Sequence, residues 1–234
     1  MGRNMKINGA KRIIVCSSGK GGVGKSTFTV LLAHAFRSVG KTVSILDADI
    51  TGSSIPLLLG SVDNNMYCNS IASGIVPADM NGFGVVSMAL VNQDESAPIL
   101  WESDYIAGIM SQILEDVTWN ADILLIDVPP GSGTINRMIV QDVDNAEYLF
   151  ITKSEEVVRH DVIKFINMVK YYGGDIVGII ENFATDNTAV TQKMMDEADV
   201  CLIGRVPVLE LSGSMIMYDD MDTGFMDDIV EAIL

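Results

Sequence analysis

Positive charge is scarce in this 234-residue sequence, with 15 lysines and arginines against 31 aspartates and glutamates and a formal charge of -16. Such a surface repels nucleic acid and anionic membranes unless cations are gathered locally, so neither is expected as a partner. Cysteine is also sparse. Cys16, Cys68 and Cys201 are an odd number without a CxxC pair, which argues against a disulfide framework and leaves small apolar side chains as the simplest reading of each. No apolar run reaches the length of a membrane span, and no secretory leader is expected from "MGRNMKINGAKR", so a cytoplasmic protein is expected. Internal repeats and low-complexity tracts are missing too. With 48% hydrophobic residues, residues 1–234 are expected to form one domain around a substantial core.

What is present is an alternation. Apolar, β-branched runs recur as "RIIVCSS", "TVSILDAD", "FGVVSMAL", "ADILLIDVP", "EYLFITKS", "IVGIIENF" and "VCLIGRVP", and most are too continuous for half-exposed antiparallel strands. Helical periodicity lies between them. It is clearest over 155–172, where Val158, Val162, Phe165, Ile166 and Val169 share a face opposite Glu155, Arg159, Lys164 and Lys170. Further helices are expected over 26–39, 105–117, 134–143, 187–198 and 223–234, with 60–82 a loop around a short strand. Strand then helix, repeated, implies an α/β fold in three layers, a mostly parallel β-sheet with helices on both faces and functional loops at the strand carboxyl ends.

Two of the few lysines fall on one glycine-rich loop. Gly19 to Ser26, "GKGGVGKS", fits G-x-x-x-x-G-K-[ST] between a strand and a helix, the context in which the pattern defines the phosphate loop of a P-loop NTPase fold. Glycines let the backbone curl its amides around a phosphate, and the helix amino terminus adds partial positive charge. Gly21, Gly22, Val23, Gly24 and Thr27 would line the cradle, Lys25 would reach the β- and γ-phosphates of ATP, and the Ser26 hydroxyl would ligate magnesium. A glycine turn with two solvated lysines is the plainer reading, but it leaves the acidic motifs downstream unconnected.

"ILLIDVPPGSG" is an apolar strand ending in Asp127, the form of a Walker B acid that holds magnesium through water, and the Gly131 amide beyond it could sense a γ-phosphate. "SILDADITGSSIP" ends a strand in Asp47 and Asp49, two residues apart and on one side if the strand persists. Either pair member alone would pass for a turn aspartate. Later strand ends suit an adenine site: Asn182 can donate to and accept from a base edge, or else hold a loop, while Pro207 and Val208 offer an apolar wall.

"KGGVGKST" resembles the deviant Walker A loop of the MinD/ParA/nitrogenase-iron-protein class. The resemblance implies that Lys20 reaches across an ATP-sandwiched homodimer to the partner's nucleotide, stabilising charge between its β- and γ-phosphates. It also implies that Asp49 positions or activates the attacking water and that Asp47 lies near the magnesium shell. "SGKGGVGKS", "DADITGSSIPLLLG", "VVSMALVNQDESAPILW", "LIDVPPGSG", "INMVKYYGGDIVGIIEN" and "IGRVPV" extend the likeness, over about 11–210, to the Mrp/ApbC branch of ATP-binding iron-sulfur carrier proteins. A protein client in iron-sulfur assembly is therefore implied.

The sequence departs from that branch where the cargo would sit. Carriers have a CxxC shortly after the "EN" motif, one pair per subunit, joined across a dimer around a four-iron cluster. Here "ENFATDNTAVTQKMMDEADVC" has no cysteine before Cys201, and one thiolate per subunit does not replace the pair. Glu102, Ser103 and Asp104 follow Trp101 in place of the branch's Arg-Gly-Pro, and Thr134 replaces an aspartate. The expected function is a slow, switch-like ATPase in cluster assembly or transfer, itself cluster-free or repurposed. A ParA/MinD-type positioning ATPase and a non-hydrolysing ATP-binding regulator are the alternatives. His34 and His160 lie in expected helices with no ligand spacing, the methionines read as core, with Met215 and Met217 as a possible groove, and the acidic tail reads as a solvated amphipathic helix.

Overall fold

The structure, a computed structural model, describes residues 5–50, 52–60, 75–87, 103–209, 215–216, 218 and 223–234, with side chains in the 103–209 stretch from 106 onward. Among the described residues eight strands form one sheet: β1 (Asn8–Ser17), β2 (Val43–Asp47), β3 (Ala78–Met80), β4 (Phe83–Ser87), β5 (Thr118–Asp127), β6 (Ala146–Thr152), β7 (Asp175–Glu181) and β8 (Leu202–Arg205). Their order is β3-β4-β2-β5-β1-β6-β7-β8, and every pairing is parallel except β3 with β4.

The helices are α1 (Lys25–Ser38), α2 (Ile55–Leu58), α3 (Ser103–Asp116), α4 (Thr134–Asp142), α5 (Glu156–Tyr171), α6 (Ala189–Ala198) and α7 (Phe225–Ile233). Parallel crossovers are right-handed, so the direction of travel fixes the face. The chain moves one way from β1 to β2 through α1, and the other way from β4 to β8 through α3, α4, α5 and α6. The first helix therefore lies on one face and the latter four on the other. The packing agrees, since α1 meets α7, α3 meets α4 and α5 meets α6.

A sheet covered on both sides wants strands apolar on both sides. All five residues of β2 are buried, as are the last five of both β1 and β5. The α5 stripe of Val158, Val162, Phe165, Ile166 and Val169 is buried as its spacing predicts. At 0% to 3% exposure, Met226, Ile229 and Val230 hold α7 against the body, while Arg12 ties the last turn down by donating to Ile233 O and pairing with Glu147.

Three departures from the sequence reading have local causes. β1 starts at Asn8, four residues before its apolar run, because its first half pairs with the equally polar start of β5. α2 was not expected, being a single turn with proline in its first positions. The acidic tail forms an amphipathic helix as expected, but α7 starts at Phe225 and buries one face, Met226, Ile229, Val230 and Ile233, while Asp227, Asp228 and Glu231 stay exposed. Cys68, Trp101, Glu102, Met217 and the side chains of Ser103 and Asp104 lie outside the described residues, as do 61–74 and the "MAL" that follows β4.

Candidate functional site: a phosphate cradle with buried carboxylates

Strand register brings the acidic residues together. Asp127 at the end of β5 is the neighbour of Cys16 on β1 and of Asp47 on β2, so two carboxylates, both fully buried, end adjacent strands just below the loop that follows β1. Lys25 Nζ lies 2.8 Å from Asp127 Oδ2, the Ser26 hydroxyl donates to the same oxygen at 2.6 Å, and the Thr29 hydroxyl donates to Oδ1 at 2.9 Å. Thr29 was not anticipated. Its signal is its place one turn after Lys25, whose carbonyl it also touches.

Among the described residues Asp47 forms no ion pair of its own. Its carboxylate accepts from Ser53 Oγ at 2.6 Å, Ser87 Oγ at 3.2 Å and the amides of Asp49 and Ile55 at 3.2 and 3.3 Å. Burial, and then the Asp127 charge, push the Asp47 carboxyl up to about 7, against the pull of those donors and of Lys25. Asp49 is 8% exposed and accepts from the Gly52 amide at 3.1 Å. Ser53 and the amides of Asp49, Gly52 and Ile55 thus gather around the two aspartates, a local pattern the sequence carried in plain view.

Above the carboxylates, Gly24 caps α1 in the left-handed region at φ 80° without a side-chain hydrogen bond, and the first turn of α1 has no acidic residue. The amino-terminal amides and the helix dipole are thereby left for an anion. A cavity of about 270 Å³ opens there, lined by Ser18, Lys20, Gly21, Gly22, Val23, Gly24, Lys25, Ser26, Thr27, Asp49, Gly52, Ser54 and Pro130. Lys20 is exposed at its edge and forms no ion pair among the described residues. Gly19 lies beneath it: a Cβ there would collide with the backbone of Val162 and sit 2.6 Å from the Asp161 carbonyl carbon, so α5 packs directly on the loop.

Two other loops grip the cradle. The Gly131 amide, at φ 79°, donates to Ser18 O at 2.8 Å, and Asn136 Nδ2 reaches back to the carbonyls of Pro129, at 2.7 Å, and Gly131. At the end of β7, Asn182 Nδ2 donates to Val23 O at 2.8 Å while its Oδ1 accepts from the Phe183 amide at 3.0 Å. Asn182, Pro207 and Val208 are not among the residues lining the cavity, and the last two are exposed just beyond β8. Phe183 and Asn136 were missed, since neither stands in a recognisable pattern.

The cysteines stand apart. Cys16 is fully buried in β1, and burial pushes its thiol up to about 12, which makes it inert. Cys201 is exposed at the amino-terminal end of the edge strand β8, whereas the cradle lies at the carboxyl ends. No group of three or more His, Cys, Asp or Glu side chains able to hold a metal occurs among the described residues. His34 stacks on Tyr218 at 5.1 Å and packs edge-on against Phe83, within the α1 side of the body.

A glycine cradle at a helix amino terminus, with its lysine and hydroxyl on the carboxylate of the neighbouring strand, defines a P-loop NTPase. Comparison narrows the class: residues 9–210 match the profile of the ParA family described as NUBPL iron-transfer P-loop NTPase, and the chain belongs to that family. It is 40% identical over 215 residues to the iron-sulfur cluster carrier protein of Methanocaldococcus jannaschii, covering 85% of this chain and 73% of that one. It is 32% identical to the carrier of Haemophilus influenzae and 31% identical to that of Escherichia coli K12, each over 231 residues and 93% of this chain. Of those two relatives it spans only 60% and 61% of the length. Among solved structures it resembles a nucleotide-binding protein in complex with ADP from Archaeoglobus fulgidus, with TM-score 0.68, 28% identity and coverage of 95% and 87% of the two chains. The Pyrococcus furiosus cell division ATPase MinD shares the fold at TM-score 0.68 and 21% identity, over 95% and 98%.

Proposed function

We propose that the protein is a magnesium-dependent ATPase that dimerises around its nucleotide and serves iron-sulfur cluster assembly or transfer without a cysteine-pair cluster site of its own. The observation that carries the reading is the buried pair of Lys25 and Asp127, joined by the half-buried Ser26, under a glycine cavity that Lys20 and Asp49 also line. The names of the relatives support the cluster-related process, and the missing CxxC pair, with Cys201 the one exposed cysteine among the described residues, supports the cluster-free form of it.

Triphosphate binding would exchange the Lys25 pairing with Asp127 for phosphate oxygens, with the Gly21 to Thr27 amides around them. The donors present fit magnesium: a hydroxyl from Ser26 and a carboxylate from Asp127 are hard oxygen ligands, with Asp47 behind them, and so small a set suits an ion that takes its remaining ligands from phosphate and water. Bound there, magnesium would neutralise charge on the β- and γ-phosphates. Asp49, at the cavity wall, orients the attacking water, and Lys20 supplies its charge to the partner's phosphates. Pro207 and Val208, exposed beyond β8, offer the base an apolar face.

Two measurements test the reading. Light scattering of the purified protein is expected to show a monomer become a dimer with magnesium and ATP. Lys20→Ala is expected to keep ATP binding and to lose at least about tenfold in phosphate release, as loss of a transition-state cation does. Wild-type protein that neither binds ATP nor changes mass would end the proposal. Clean binding with no phosphate release, unchanged by Lys20→Ala, would instead make it a regulator without turnover.

A further inference from the structure

Three side chains hold the Asp127 carboxylate, and their fates differ. Lys25 Nζ and the Ser26 hydroxyl share Oδ2, at 2.8 and 2.6 Å, while the Thr29 hydroxyl meets Oδ1 at 2.9 Å. In the nucleotide reading the first two have work elsewhere, Lys25 on phosphate and Ser26 on magnesium. Thr29 has none. It lies one turn below Lys25 in α1 and is 0% exposed, out of reach of any ligand in the cavity.

A hydroxyl has one proton to give, and three groups border this one. The Lys25 carbonyl lies at 3.0 Å, the Cys16 sulfur on β1 is a second neighbour, and Asp127 Oδ1 is the third. Cys16 and Asp127 are register partners on adjacent strands, which is why thiol, hydroxyl and carboxylate meet beneath the loop. Relative strength decides where the proton goes. A carbonyl in the first turn of a helix already has its ladder amide, and a thiol that burial keeps protonated is a weak acceptor. A bond to a carboxylate is roughly twice as strong as one between neutral groups. The Thr29 proton therefore belongs to Asp127.

We infer that Thr29 is a positioning residue for Asp127: it pins Oδ1, so that Oδ2 keeps facing Ser26 and the magnesium that Ser26 would ligate. The torsion that turns a carboxylate about its Cβ–Cγ bond is broad and soft. While Lys25 is paired with Oδ2 that torsion is held from above, but triphosphate binding draws Lys25 away. From then on the Thr29 bond fixes it from below. The inference rests on the magnesium and nucleotide reading above and adds a residue that never touches either.

The magnesium dependence of ATP binding separates this role from helix packing. Calorimetry of the full chain with ATP, once with magnesium and once with EDTA, gives the factor by which the metal tightens binding. Thr29→Ser and Thr29→Ala lose the same methyl and differ from each other by one oxygen. Thr29→Ser is expected to keep the wild-type factor and Thr29→Ala to lower it about tenfold, as loss of an outer partner of a metal ligand does, with affinity in EDTA staying within about twofold. Thr29→Val restores the volume without the hydroxyl, follows Thr29→Ala, and takes its place if circular dichroism shows Thr29→Ala unfolded.

Equal magnesium factors for Thr29→Ser and Thr29→Ala would overturn the inference and leave Thr29 a helix residue. So would a Thr29→Ala protein weakened alike with magnesium and with EDTA. Wild-type protein whose ATP affinity is indifferent to magnesium would remove the metal reading itself, and the part of Thr29 with it.

Discussion

Lys25 is a cation between duties. In the structure it neutralises Asp127 and lies close enough to Asp47 to oppose the rise in that carboxyl's affinity for protons. Removing one partner of a buried pair leaves the other charge uncompensated, so Lys25→Ala is expected to cost about 3–5 kcal/mol in urea unfolding as well as ATP binding. A variant defective in binding but as stable as the wild type would show that the pairing contributes little. Asp47 makes a prediction with a sign. Its carboxyl, ordinarily near 3.8, is raised to about 7, so the folded protein holds this proton more tightly than the unfolded chain. The stabilisation is complete below the unfolded value and is lost as pH rises through about 7. Asp47→Asn, neutral at every pH, is therefore expected to gain stability relative to wild type between pH 5 and pH 8. Urea midpoints at the two pH values check it, and a gap that stays constant or narrows would contradict the raised carboxyl.

At the scale of elements, α5 sits directly on the phosphate loop. Since the atoms nearest a Cβ on Gly19 are backbone, they do not rotate away, and Gly19→Ala must push α5 off or deform the loop. A destabilisation of at least about 2 kcal/mol is expected, at the upper part of the range for overpacked sites, together with weakened ATP binding. Gly21→Ala, whose nearest neighbour would be a Pro130 ring atom at 3.9 Å, serves as the comparison in the same loop. Equal stability for the two variants would refute the contact. These elements also mark what the sequence disclosed. Six helices and most strands were legible because a doubly covered sheet demands continuous apolar strands and one-sided helices, and the loop from Gly19 to Ser26 was legible because phosphate chemistry demands glycines at fixed spacing. Contacts between distant segments were not. Thr29 on Asp127, Asn182 on Val23 and Val162 beneath Gly19 join residues 98, 159 and 143 positions apart, and no local pattern encodes such pairings.

Over the whole molecule, the cradle and the exposed thiol are separated. The cradle lies at the carboxyl ends of the strands, while Cys201, the one exposed cysteine among the described residues, lies at the opposite end of the sheet on its edge. Anaerobic reconstitution with iron and sulfide is expected to leave no stoichiometric iron on the protein, and Cys201→Ala is expected to change nothing. Iron bound by wild type and lost in Cys201→Ala would reveal a carrier site of unforeseen design.

The strand order has one more consequence, for the path by which the chain folds. β1, which delivers the phosphate loop, has β5 and β6 as neighbours, so Cys16 pairs with Asp127 and Leu149 rather than with anything close in sequence. The cradle exists only when segments more than a hundred residues apart have met, and such long-range closure makes for slow folding. A nucleotide then has nothing to grasp until the slow step is over. Magnesium and ATP are accordingly expected to slow unfolding and to leave the refolding rate unchanged in stopped-flow denaturant jumps, which would make the ligand a lock on the finished fold. Faster refolding with ATP would mean that the loop is formed before its sheet.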